Sequence, residues 1–333
     1  MRAVVLVGGF GTRLRPLTSS VPKPMLPVGH VPIIERLVTN LGRSGITEVT
    51  LALGFKPEPF IEAFPDGECA GVALRYAVEP EPLDTAGAIR FAAEAAGIDD
   101  TFVVANGDIL TDLDVAQLVE FHRSKQAEAT IHLIGVPDPS AFGVVALDGE
   151  GRVERFVEKP APGTAPSNFI NAGTYVLEPS VLQRIPAGQK VSIERSTFPL
   201  VSSAGGLYAM ATEDYWIDTG RPDLYLQANL DLISGLRRND HCQPIHESAQ
   251  VSAGAVVEHS LVGPGVVVGA ATVRGSVLLP GAVVEAGAVV TDSVVMGRIG
   301  SGATVHHSVL GAAGVVAPGE QLSGERRPDP DQT

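Results

Sequence analysis

This chain of 333 residues has two cysteines, Cys69 and Cys242, one tryptophan and 5% aromatic residues. So few cysteines, set far apart, build no disulfide framework, and stability must come from buried apolar surface. Positive charge is scarce as well: 24 Lys and Arg stand against 38 Asp and Glu, a formal net charge of −14. That balance excludes the basic field with which a protein gathers nucleic acid. No apolar run reaches bilayer length, and the N-terminus lacks a signal peptide's layout, so a cytoplasmic chain with no membrane partner is expected. Two common phosphate motifs are missing too. A dinucleotide fingerprint needs glycine where Leu14 stands, and no Gly-Lys-Ser/Thr follows the first glycines.

What is present starts at the N-terminus. Ala3 to Val7 is an apolar run that reads as a buried parallel strand, ending in Leu6-Val7-Gly8-Gly9-Phe10-Gly11-Thr12-Arg13. Glycines directly after such a strand let the backbone approach an anion and aim successive N–H groups at it. Arg13, Arg15 and Lys23 add cations within a few residues. Backbone donors plus cations are what a triphosphate requires when charge develops on its leaving group.

Up to about residue 235 short apolar runs alternate with helical stretches. Val4–Val7, Val49–Leu53, Leu74–Val78, Phe102–Ala105 and Thr130–Val136 read as strands, with helices over 32–44, 86–96 and 115–125. This alternation predicts an α/β, Rossmann-like domain, a mostly parallel sheet with ligands at the carboxyl ends of its strands. From about Ile245 a repeat takes over. Val251, Val267, Val283, Ile299 and Val315 are 16 apart, as are Val257, Val273, Val289 and Val305, and again Val262, Leu278, Val294 and Leu310. Three interleaved series at one period predict a parallel β-helix of about four coils over 245–322. The polar, proline-rich residues 323–333 are expected to be disordered. The pair His306-His307 reads as a solvated corner of that helix.

The string Gly11-Thr12-Arg13-Leu14-Arg15-Pro16-Leu17-Thr18, followed by Pro22-Lys23-Pro24, resembles the sugar-1-phosphate nucleotidyltransferases, and most of all their mannose-1-phosphate guanylyltransferase branch. Many such proteins append a left-handed β-helix. The resemblance implies a 1–235 catalytic domain that joins a nucleoside triphosphate and a sugar 1-phosphate, giving a nucleotide sugar and pyrophosphate. It implies Arg13, Lys23 and Lys159 as catalytic residues. Leu6, Gly8, Gly9, Gly11, Thr12, Glu79, Thr85 and Gly107 would line the nucleotide. Asp108, in Asn106-Gly107-Asp108, and Asp218, in Tyr215-Trp216-Ile217-Asp218-Thr219-Gly220, would hold Mg²⁺, which takes one or two carboxylates with phosphate oxygens and water. Gly143, Glu158, Lys159 and Asn171 would receive the sugar phosphate.

The loop Glu79-Pro80-Glu81-Pro82-Leu83-Asp84-Thr85-Ala86-Gly87 matches the family's base-reading loop, except that Asp84 replaces its usual glycine. Uridine- and thymidine-type members tend to have Gln at the position of Glu79. A carboxylate accepts from both N1–H and the 2-amino group of guanine, which favours GTP with mannose 1-phosphate. Glucose-1-phosphate uridylyl or thymidylyl transfer, and a non-catalytic regulatory homologue that binds nucleotide sugar, are the alternatives. The β-helix is expected to join copies of the chain into a homo-oligomer.

Overall fold

The computed structural model describes every residue except Phe10, Phe55, Lys56, Arg238, Asn239 and 331–333. Its contacts divide the chain into two units, Met1–Gly9 with Glu35–Trp216, and Phe10–Ile34 with Ile217–Thr333. The segment after the first glycines therefore packs with the repeat region, although its sequence belongs to the alternating part.

In the first unit, β1 (Arg2–Leu6) precedes α1 (Ile33–Arg43, begun in the other unit), β2 (Glu48–Leu53), β3 (Val72–Val78), α2 (Asp84–Ala95), β4 (Phe102–Asn106) and α3 (Val115–Lys125). The strands run parallel in the order β3-β2-β1-β4. The aliphatic runs of β1, β2 and β4 are buried on both faces, the pattern of central parallel strands, whereas β3 alternates buried and exposed residues. Helix α2 buries Ala86, Ala88, Ile89, Ala92 and Ala93, small residues that let it lie close to the sheet. Helix α3 starts where the Asp114 carboxylate accepts from the Ala116 N–H at 3.0 Å, a capping bond.

Five further strands, β5 (Ala129–Gly135), β6 (Gly143–Leu147), β7 (Val153–Glu158), β8 (Phe169–Leu177) and β9 (Leu207–Thr212), complete a ten-stranded sheet with Glu68–Cys69. Strand β8 runs antiparallel to β4, β5 and β6, and β6 antiparallel to β7. The parallel half thus matches the expectation, and an antiparallel wing, unread in the sequence, carries residues 143–177.

In the second unit α4 (Pro222–Ile233) packs on the first coils of the repeat region. Its buried Asn229 accepts from the Gly29 N–H at 2.8 Å and donates to the Tyr225 carbonyl at 2.8 Å. The Tyr225 hydroxyl donates to the Pro27 carbonyl. Helix α4 thereby anchors the end of the 10–34 segment.

From Gln250 onward the chain forms three parallel sheets of five strands each, the parallel β-helix expected. Its register corrects the sequence spacing. The inward stack on one face is Val251, Val268, Val284, Ile299 and Val316, in steps of 17, 16, 15 and 17 residues. Val267 and Val315, expected inside, are 37% and 57% exposed, and Val290 rather than Val289 faces inward. Valine doublets at each coil hide which member of the pair points in. The expected disordered tail is also corrected. Gln321–Ser323 and Arg326–Arg327 are strands of a further coil, with Arg326 opposite Val309 and Arg327 opposite Leu310; 331–333 lie outside the described residues. No helix among the described residues is long and apolar enough to cross a membrane.

One corner of the β-helix repeats a backbone device. His259, Gly275, Asp292, His307 and Gly324 all have φ between +44° and +68°, a left-handed bend that Gly, Asp and His tolerate best. Beside them Ser260, Ser276, Ser293 and Ser308 are buried. Each hydroxyl donates to a carbonyl two residues back and accepts an N–H from the next coil at 3.0–3.2 Å. The ladder satisfies backbone groups that the bend removes from the sheets.

Candidate active site

The carboxyl ends of the four parallel strands meet at one edge of the first unit. Gly107 N–H donates to the Leu6 carbonyl at 2.8 Å, and the Glu79 N–H to Leu53 at 2.9 Å. A Cβ on Gly107 would stand 2.5 Å from a Val7 methyl and 2.9 Å from the Leu6 oxygen, so only glycine permits this approach. Gly8 lies against Gly54, a residue the sequence did not single out; its Cβ position is 3.5 Å from Gly54 N and 3.9 Å from Glu79 Oε1. The N–H groups of Gly8 and Gly9 donate to no protein acceptor among the described residues. Phe10 of this turn lies outside the described residues.

Glu79 is 8% exposed, and its Oε2 accepts from the Leu83 N–H at 2.8 Å. Burial pushes its carboxyl above the usual carboxylate range, against that hydrogen bond. One oxygen thus folds the loop and the other faces the glycine turn, so two free acceptors, as expected from the sequence, are not both available. Thr85 has a structural task that the sequence did not show. Its hydroxyl donates to Glu194 at 2.9 Å and accepts from the Ile193 N–H at 2.8 Å, clamping the loop to the 190s segment. Gly87 packs there as well, its Cβ position 2.6 Å from the Gln189 carbonyl.

Asp84 explains the usual glycine. Its φ is +59°, a left-handed conformation that costs an L-residue about 1–2 kcal/mol. Its carboxylate accepts from the Thr85 N–H at 2.8 Å and pairs with Arg195 at 2.9 Å. Asp84→Ala keeps the strained backbone and loses both bonds, whereas Asp84→Gly relieves the strain. Thermal melts should place the Ala variant below the Gly variant by about 1 kcal/mol. An Ala variant as stable as the Gly variant would show that the bend is not strained.

The antiparallel wing gathers the expected sugar-phosphate residues. Gly143 faces Glu158 across β6 and β7. Its Cβ position is 2.7 Å from the Phe156 ring and 2.9 Å from Glu158 Oε2, so this glycine makes room for those side chains. Glu158 is raised above its ordinary value by burial first and by Glu194 second, with Lys159 and Arg195 opposing. Lys159 sits at φ +48° and its ammonium lies 3.9 Å from Glu158 Oε1, two-thirds exposed. The Asn171 amide donates to the buried Tyr175 hydroxyl at 2.9 Å and accepts from the Gly173 N–H at 3.0 Å, beside a register shift in β8. Trp216 ties this wing together: its indole N–H donates to the Ala172 carbonyl at 2.9 Å, and its ring meets Phe142 edge-on at 5.8 Å. Asp108, half-buried, follows Gly107 at the strand edge.

The second unit brings Arg13, Lys23 and Asp218 together. Gly11 has φ +57° and its Cβ position is 3.0 Å from a Thr18 methyl and 3.2 Å from Lys23 Cβ. The Thr18 hydroxyl donates back to the Gly11 carbonyl at 2.8 Å. Thr12 to Leu14 then form one 3₁₀ turn, with the Thr12 N–H given to no protein acceptor among the described residues. Lys23 is 5% exposed and its ammonium meets Asp218 Oδ1 at 3.2 Å, where the Gly220 N–H also donates at 2.8 Å. A Cβ on Gly220 would lie 2.8 Å from the Arg13 guanidinium and 3.2 Å from the Lys23 ammonium. Arg13 itself is exposed.

The rings of His306 and His307 lie 4.1 Å apart, tilted by 59°, near Asp292, whose carboxylate is 3.9 Å from His306. Sequence reasoning missed Glu194, Arg195, Tyr175 and Gly54. No local pattern marks them: Glu194, Arg195 and Gly54 act through partners distant in the chain, and Tyr175 meets Asn171 beside a strand irregularity.

A nucleotidyl transferase family model matches residues 2–235, and a GlmU-like C-terminal hexapeptide model matches 245–332. The chain is 43% identical to mannose-1-phosphate guanylyltransferase of Mycobacterium tuberculosis over 80% of its length and 76% of the relative's. It is 40% identical to a probable mannose-1-phosphate guanylyltransferase of Oryza sativa, over 80% of this chain and 74% of the other. Among solved structures, HddC from Yersinia pseudotuberculosis, also seen complexed with GMP-PN, is 31% identical with a TM-score of 0.59, covering 68% of this chain and 97% of its own. A putative glucose-1-phosphate thymidylyltransferase from Bacillus anthracis is 26% identical with a TM-score of 0.65, over 73% and 97%. The strand-end glycines, the cation cluster and these matches agree: the chain belongs to the nucleotidyl transferase family.

Proposed function

We propose that this protein transfers the guanylyl group of GTP to mannose 1-phosphate, releasing pyrophosphate and GDP-mannose. The observation that carries this reading is the Arg13, Lys23 and Asp218 group around Gly220, preceded by a glycine turn with unused N–H groups. A sugar phosphate is already ionised near neutral pH, so its oxygen attacks the α-phosphorus in line without a general base. Positioning and charge neutralisation then do the catalysis. Arg13, exposed and near Gly220, neutralises the departing pyrophosphate, and Lys23 holds the α-phosphate region. Lys159 meets the phosphate of the sugar, and Glu158 and Asn171 its hydroxyls.

The donor set suits a hard cation. Asp218 gives Oδ1 to Lys23 and Gly220, which leaves Oδ2 for an ion, and Asp108 is a second carboxylate. Bound Mg²⁺ would neutralise phosphate charge. Association of copies through the β-helix belongs to the same proposal, the exposed Val256, Val267, Val289 and Val315 offering it apolar surface.

Support for the base and the sugar comes from Glu79 and from the names of the relatives. In Glu79→Gln the amide oxygen still accepts from Leu83 while an NH₂ replaces the acceptor at the glycine turn. Guanine then loses a bond to a charged acceptor and meets a donor. Pyrophosphate release should show the GTP-over-UTP efficiency ratio falling by about tenfold or more. A wild type that prefers UTP or dTTP with glucose 1-phosphate would replace the guanylyl reading by the uridylyl or thymidylyl one. No release with any pair would favour a regulatory binding protein.

A further inference from the structure

We propose that Arg326, in the last coil of the β-helix, is a positioning residue for Arg13, so that the β-helix completes the triphosphate site. Its Nη1 donates to the carbonyl of Arg13 at 3.0 Å and to that of Arg15 at 3.2 Å. These carbonyls close the single 3₁₀ turn Thr12–Leu14, whose own bonds run from Leu14 N–H to Gly11 and from Arg15 N–H to Thr12. Carbonyls at the end of such a turn lack partners within it, and a cation there satisfies both their lone pairs and the turn's dipole. A turn of three residues has little stiffness of its own.

The support is itself held rigidly. Arg326 pairs in register with Val309, and its neighbour Arg327 forms ion pairs with Glu320 and, at 3.2 Å, with Glu325. A second contact comes from the preceding coil. A Cβ on Gly311 would lie 2.7 Å from the Pro16 oxygen and 2.8 Å from Pro16 Cβ, so that coil touches the backbone just beyond Arg15. Two coils thus bracket the segment bearing Arg13, one by hydrogen bonds and one by close packing. This assigns the β-helix a part in the chemistry beyond assembly, and it rests on the nucleotidyl-transfer reading of Arg13.

Steady-state kinetics on the full chain tests it with Arg326→Ala, Arg326→Lys and Gly311→Ala. Arg326→Ala should lower kcat/KM for the triphosphate about tenfold, less than the roughly hundredfold that a full ångström's misplacement can cost, with KM for the sugar phosphate unchanged. Lysine, which still donates to both carbonyls, should recover most of the loss, and Gly311→Ala should reproduce it by pushing on Pro16. Hydrogen exchange at residues 12–18 should quicken in Arg326→Ala while the melting temperature holds. Unchanged exchange there, or an equal fall for both substrates with a lowered melting temperature, would overturn the proposal. If the wild type transfers no nucleotide, the functional reading fails, and the exchange result still decides whether Arg326 holds the turn.

Discussion

Asp218→Asn should reduce turnover about a thousandfold, the several kcal/mol that a metal-organised charge contributes to a phosphoryl transition state. The substitution keeps the shape. An amide oxygen still accepts from the Gly220 N–H and from Lys23, which meet Oδ1 at 2.8 Å and 3.2 Å. What disappears is the negative charge, and with it the anionic oxygen Oδ2. Lys23 is 5% exposed, so weakening its ion pair with Asp218 also lowers stability. Activity is therefore to be compared well below the melting temperature and across a Mg²⁺ titration. A variant turning over like wild type at limiting Mg²⁺ would remove Asp218 from the metal site and leave it as the counter-ion of Lys23.

Gly11→Ala should lower kcat/KM for the triphosphate about a hundredfold while leaving sugar-phosphate binding in place. The new methyl would sit 3.0 Å from Thr18 and 3.2 Å from Lys23 at a backbone φ of +57°. Thr18 and Lys23 would each have to give by a few tenths of an ångström, at the entry to the 3₁₀ turn that carries Arg13. Calorimetric titration with each substrate, beside circular dichroism to check the fold, separates this from unfolding. Activity within a few-fold of wild type would mean that the turn adapts and that its geometry does not limit the reaction.

Much of the first unit was legible because its signals are local. The runs Val49–Leu53 and Phe102–Ala105 became β2 and β4 almost residue for residue, and 115–125 became α3. The glycine turn and the Trp216-Ile217-Asp218 string stood out as candidate segments for the same reason. What stayed hidden depends on pairing across the chain. The bond of the Thr85 hydroxyl to Glu194, 109 residues on, could not be read from the loop alone. The packing need for Gly143 was equally hidden, since Phe156 and Glu158 crowd it from the neighbouring strand. In the repeat region the composition was plain but the phase was not, since Val267 and Val268 are equally apolar and only one is buried. The final coil was invisible because Arg326-Arg327 pairs through its backbone, which any residue provides.

The serine ladder joins successive coils by the same bond, each serine hydroxyl accepting one N–H of the coil that follows, so whole turns could be added or removed without leaving a broken rung. Arg326 denies the chain that freedom. One coil more or less would shift it by a strand spacing, about 4.8 Å, out of reach of the two carbonyls it bridges. The β-helix thus works as a ruler whose length is set by the turn it has to meet.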